Sequence, residues 1–79
     1  MSNRRGLWTE YSVKPTHRDG LAVWRLTAFL HDGEKRNVDE EVMFCWGHPG
    51  TDDYRMTFEW LDVKIRRKAD RYEQQRSAA

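Results

Sequence analysis

The stretch Thr51-Asp52-Asp53-Tyr54-Arg55-Met56-Thr57-Phe58-Glu59-Trp60-Leu61-Asp62-Val63-Lys64-Ile65, continuing through Arg76, decides the fold. Thr51 suits an N-cap, and Asp52 and Asp53 follow where the positive end of a helix dipole favours acids. Stepping about 100° per residue from Tyr54, the side chains of Tyr54, Phe58, Leu61, Ile65, Ala69 and Tyr72 fall within about 80° of one another. This predicts one long C-terminal helix with a single core-facing stripe. Arg55/Glu59, Asp62/Arg66 and Arg66/Asp70, opposite charges four residues apart, fit the same helix. Tyr54, Met56, Phe58 and Trp60 also alternate, so a fourth strand over 54–60 is the competing assignment. The cap, the ion pairs and the apolar spacing favour the helix.

On the far side of this helix lie Met56, Trp60, Val63 and Arg67, with Lys64 and Arg71 beside them. A helix in a small domain has one core to face. An indole, a thioether and a valine on the outer side, flanked by cations, are therefore expected to form a partner surface, since Trp, Met and Arg are enriched in interface cores. A second core layer or a homodimer contact would use the same residues.

Upstream, the pattern is that of strands. Leu7, Thr9, Tyr11 and Val13 alternate with Trp8, Glu10, Ser12 and Lys14, and Pro15 is expected to end this strand. Residues 15–20 read as a loop with a turn at Asp19-Gly20. Leu21–His31 carries an apolar face of Ala22, Trp24, Leu26, Ala28 and Leu30 and a mixed face of Val23, Arg25, Thr27 and Phe29. Asp32-Gly33 is a pair favoured in type I′ turns. Residues 34–46 return as a third strand, with Val38, Val42, Phe44 and Trp46 opposite Met43 and Cys45. Within it the acids Asp39-Glu40-Glu41 are expected to bulge or shorten the strand. The fold class is thus α+β: a three-stranded antiparallel meander with one helix across one face, in the order β-β-β-α. The other face would expose Trp8, Val23, Phe29 and Met43, and open apolar sheet faces usually mark interaction sites.

Seventy-nine residues make one domain spanning 1–79, with fraying expected at 1–6 and 75–79. A chain this short buries about 60% of its unfolded surface. With 38% hydrophobic and 34% charged residues the core must be thin. One cysteine excludes an internal disulfide and fits a reducing compartment. No run approaches the roughly 20 apolar residues of a membrane span, and the cations of Met1–Gly6 precede no apolar segment of a secretory signal. A cytoplasmic location without membrane association is expected. The net charge of +1 hides segregation. Residues 1–36 carry seven Lys/Arg against four Asp/Glu, residues 37–62 one against seven, and residues 63–79 six against two. Such opposed poles fit neither a uniformly basic nucleic-acid binder nor an acidic mimic of one.

Candidate chemistry is sparse. Cys45 and His48 have the spacing of half a zinc site, but no second Cys/His pair exists, and a buried thiol with a loop histidine accounts for them. Nothing supplies an oxyanion hole or an orienting group for a Cys45 nucleophile. No catalytic residue, metal or cofactor is expected, and the chain reads as non-enzymatic. Asp39, Glu40 and Glu41 are a candidate electrostatic contact for basic groups on a partner. Arg66, Arg67 and Lys68, near Trp60, together with the open sheet face, give an alternative: a small regulator binding RNA or DNA.

The β-β-β-α order, with Tyr11-Ser12-Val13 in the first strand, resembles the double-stranded-RNA-binding domain after its first helix. That family places a lysine cluster at the start of its last helix, where this chain has Thr51-Asp52-Asp53, so the resemblance is one of topology. The chain as a whole looks like the small proteins with which phages and mobile elements block host defences, anti-CRISPR proteins in particular. The features shared are a stand-alone mini-domain with a sheet and one helix, many aromatics, segregated charge and no catalytic motif. This resemblance implies inhibition by occupying the surface of a host protein or nucleoprotein complex. A homodimeric accessory subunit is the remaining alternative.

Overall fold

The structure is a computed structural model and describes residues 6–78. Strands β1 (Trp8–Arg18), β2 (Leu21–His31) and β3 (Asn37–Cys45) precede one helix, α1 (Asp52–Ala78). The strands form a single antiparallel sheet in the order β1-β2-β3. The helix lies over β2 and β3, which is the β-β-β-α arrangement read from the sequence. Residues 54–60 are helical, which removes the fourth-strand alternative. The helix runs to Ala78. The expectation for residues 1–5 and 79 falls outside the described residues.

One core holds these layers together. Leu26, Ala28 and Leu30 from β2, Cys45 from β3 and Leu7 meet Leu61, Ile65 and Ala69 from α1. Leu26, Leu61 and Ile65 are wholly removed from solvent, and each such side chain contributes about 1.5–3 kcal/mol of burial free energy. Tyr54, Phe58 and Tyr72 close the margin of the core from the same helix stripe. Ala22, expected on the core face of β2, lies exposed at the far end of the sheet.

The first turn falls at Asp19-Gly20 as expected but is shorter than the loop read over residues 15–20, and the second is not of the expected type. Pro15 does not end β1; it pairs with Trp24, and the strand continues to Arg18. β1 is an edge strand, where a residue without an N–H is tolerated. Asp19 (φ 53°) and Gly20 (φ 79°) are both left-handed, as a two-residue type I′ hairpin turn requires. Asp32-Gly33 adopts no such turn. Lys35 (φ 66°) is the left-handed residue of a longer loop built on the buried Asp32. The Asp32 carboxylate accepts the N–H groups of Glu34 (2.8 Å) and Arg36 (2.9 Å) and the Arg36 Nε–H (2.9 Å). The backbone N–H of Arg36, foremost among these donors, holds its pKa below the usual carboxylate range.

β3 starts at Asn37 and carries a bulge. Leu30 pairs with Asp39 but His31 with Asn37, so Val38 is the extra residue, one position before the acids expected to cause it. The bulge resets the alternation, so Val38 and Met43 both pack on the core. Met43 is therefore absent from the open sheet face. Val42 and Phe44 occupy that face instead.

The helix is fastened at its start and on both flanks. Thr51 Oγ1 accepts the Tyr54 N–H (3.2 Å), the expected cap, and donates to the His48 carbonyl (2.8 Å). The Asp53 carboxylate accepts the N–H groups of Trp46 (2.9 Å) and Gly47 (2.8 Å), tying the end of β3 to the first helical turn. A Cβ at position 47 would overlap Thr51 Oγ1, so only glycine allows this approach. On the β1 side, the Tyr11 hydroxyl donates to Asp62 (2.6 Å). On the β3 side, Lys68 Nζ lies 3.0 Å from Glu41 and 3.3 Å from Asp39, and donates to the Glu40 carbonyl.

Both flanking contacts raise a pKa. Burial, then the bond to Asp62, pushes Tyr11 from 10.0 up to about 12. The hydrogen bond to Glu41 leads the causes that push Lys68 above its ordinary 10.5. Groups raised by folding contribute stability in full below their unfolded pKa and lose it as pH rises through the folded value. Stability is therefore expected to fall from about pH 10 towards pH 12. Tyr11→Phe is expected to lose about 1–2 kcal/mol at neutral pH and to show a shallower alkaline fall. Denaturant titrations at stepped pH measure both, and an unchanged alkaline slope would contradict the Tyr11 assignment.

Candidate functional site: the outer face of the helix

With Leu61, Ile65 and Ala69 turned to the core, the helical period sends Met56, Trp60 and Val63 to solvent. They are 55%, 53% and 39% exposed. At 1.5 Å per residue these three form an apolar strip roughly 10 Å long. Lys64, Arg67 and Arg71 continue it towards the C-terminal end, all exposed and without an ion pair among the described residues. One border of the strip is neutralised: Arg55 pairs with Glu59 (3.0 Å) and Asp52 (3.9 Å), and Arg66 with Asp62 (3.0 Å). The face thus offers an indole and a thioether next to three cations that have no ion-pair partner among the described residues.

Six of the nine residues singled out in the sequence, Met56, Trp60, Val63, Lys64, Arg67 and Arg71, share this face. Asp39, Glu40 and Glu41 do not join it or act as one patch. Asp39 and Glu41 face α1 and are held by Lys68, whereas the period of two along β3 turns Glu40 to the opposite face of the sheet. The cation set of the nucleic-acid alternative is divided in the same way. Arg66 is paired with Asp62 and Lys68 with the acids of β3, leaving Arg67 of the three.

The open sheet face is a second exposed surface. Trp8 stacks on His31 with ring centroids 4.3 Å apart, and His31 Nε2 lies 3.1 Å from the Glu10 carboxylate. The Arg18 guanidinium sits 4.4 Å above the Phe44 ring. Arg18 is on β1 and Phe44 on β3, so this side chain crosses β2 above Val23. Val23 is 4% exposed, where the sequence led us to expect it open. Trp46, expected inside the third strand but lying just past the end of β3, is the most exposed large apolar side chain among the described residues. Sequence reading assigned Asp53 to the helix dipole and missed that it also anchors the Trp46 backbone. The Gly47 that precedes the cap was the available signal.

Cys45 is buried, and its thiol donates to the Gly47 carbonyl (3.3 Å). Burial raises its pKa above the ordinary thiol value. His48 is exposed, with Nδ1–H donating to the Pro49 carbonyl (3.0 Å). Among the described residues no three His, Cys, Asp or Glu side chains are grouped to hold a metal ion, and no helix is long and apolar enough to cross a membrane. An open cleft of about 420 Å³ at the helix start is lined by Tyr54 and Phe58 and by the Arg55–Glu59 pair. No family model matches the chain, and no curated protein or solved structure is detectably similar to it.

If the outer face is free of structural duty, Trp60→Ala is expected to change the unfolding free energy by less than about 0.5 kcal/mol. Lys68→Ala, which leaves Asp39 and Glu41 facing each other unpaired, is expected to cost about 1 kcal/mol. Thermal and denaturant unfolding of the two variants side by side measures the contrast, and a large loss for Trp60→Ala would place the indole in the core.

Proposed function

We propose that this protein is a non-enzymatic binding protein that inhibits a larger host complex, in the manner of phage anti-defence proteins, by occupying its surface with the outer face of α1. The observation that carries this reading is the half-exposed Trp60 between Met56 and Val63, on a helix whose other side already fills the core. Trp60 is the apolar anchor and fills a pocket on the partner. Arg67 and Arg71 pair with carboxylates beside that pocket, and Lys64 adds charge that speeds encounter. The matching surface is an apolar pocket with an acidic rim on a protein or nucleoprotein assembly. Asp39 and Glu41 have no role in this contact, because Lys68 neutralises them within the fold.

The test is capture of partners by the tagged protein from nuclease-treated host lysate, read by mass spectrometry beside Trp60→Ala and Arg67→Glu controls. A discrete complex recovered by the native chain and lost with Trp60→Ala is the expected outcome. Equal recovery by Trp60→Ala, or material that disappears with nuclease, would contradict it.

A further inference from the structure

We propose that the open face of the sheet is a self-complementary interface through which two copies of this chain join, sheet to sheet. The inference does not depend on the outer face of α1. It rests on how the register arranges charge on the opposite side of the molecule.

Lys14 and Arg25 stand directly opposite each other on β1 and β2, with Phe44 next to them on β3. Four residues along each strand, Glu10, Phe29 and Glu40 form a second row of the same kind. The row between them, Ser12, Thr27 and Val42, carries no charge. A row with two cations of its own, joined by the Arg18 guanidinium over its Phe44, and a row with two carboxylates therefore flank a neutral row at equal distances. A two-fold axis through the neutral row, lying between the sheets and across the strands, exchanges the two outer rows. It sets Lys14 over Glu10 of the second copy, and Arg25 over the Phe29 ring of the second copy, where a cation is attracted to the π face. Each contact then occurs twice, as in any isologous pair. An axis along the strands does the opposite, placing Arg25 over Arg25 and Glu10 over Glu40. The charge pattern therefore selects one orientation.

The face also has apolar surface that such a contact would cover. Trp8 is 43% exposed, and Val42 and Phe44 are each 38% exposed. Glu10 is reachable, since its side chain remains 61% exposed beside His31. Aromatics and cations on a sheet can also serve as a platform for single-stranded nucleic acid. Here Glu10 and Glu40 would repel the phosphates along half of that platform. In the paired form the two helices lie on the outside, so each dimer presents two Trp60 faces and gains avidity on a repetitive partner.

The experiment is size-exclusion chromatography with light scattering on the full chain over a range of concentrations. The expected mass is twice the 9.5 kDa of one chain. Lys14→Glu and Glu10→Lys, each placing like charges across the axis twice, are expected to weaken association about tenfold or more. The double variant is expected to restore it, because the exchanged pair again has opposite signs; Trp60→Ala is expected to leave the mass unchanged. The proposal is overturned by a monomer at every concentration, by single charge variants that associate like the native chain, or by a double variant that stays monomeric. It is equally overturned if Trp60→Ala dissolves the dimer, or if the chain is monomeric and binds single-stranded oligothymidylate through Lys14. Loss of partner capture by Trp60→Ala with the dimer intact separates the two surfaces, so either reading can fail alone.

Discussion

The contact of Leu61, Ile65 and Ala69 with Leu26, Ala28 and Leu30 governs everything else in this molecule. A chain of 79 residues with one sheet and one helix can bury one face of each. Once those faces meet, no second layer among the described residues covers the others. The outer side of α1 and the open side of the sheet are therefore left to solvent as a consequence of the architecture. Their side chains determine whether that exposure is neutral. Charged residues alone would make a solvated surface. Trp60, Met56 and Val63 on one side, and Trp8, Phe44 and Val42 on the other, make two surfaces that water solvates poorly.

Charge explains why the helix settles at one angle about its axis. The core stripe fixes which side faces down, and the flanks are pinned by unlike chemistry. Tyr11 reaches Asp62 from β1, and Lys68 reaches the acids of β3. Rotating the helix would break one or both contacts and leave Asp39 and Glu41 repelling each other. The same two contacts divide the charged residues into those that hold the fold and those that remain available. Lys68, Arg66, Asp39 and Glu41 belong to the first group. Lys64, Arg67 and Arg71 belong to the second, which is why the proposed function rests on them.

Much of this was legible in the sequence because two periods were clean. The 3.6-residue spacing from Tyr54 to Tyr72 specified the helix and both of its faces, and the alternation along β2 specified its core side. What failed was local. Pro15 read as a strand end, because the sequence does not say that β1 is an edge strand where a missing N–H costs nothing. Asp32-Gly33 read as a two-residue turn, but the Asp32 carboxylate gathers three donors and builds a longer loop. Val38 changes side because of one unpaired residue, which no alternation pattern contains. The acidic triplet looked like a single patch, yet a strand sends neighbours to opposite faces, and Lys68 arrives from a helix 27 residues or more away in sequence. Contacts of that span, and the reach of Arg18 across Val23 to Phe44, depend on register that only the fold supplies.

Solvent access of the individual indoles tests most directly whether one core leaves the outer helix face open. The four tryptophans can be labelled with 5-fluorotryptophan, assigned by Trp→Phe substitution and followed by fluorine NMR against a soluble paramagnetic agent. If the account is right, Trp60 and Trp46 broaden strongly in the free protein, while Trp24, packed at the edge of the core, broadens little. A Trp60 resonance as protected as that of Trp24 would mean that the outer stripe is already covered, and would contradict it.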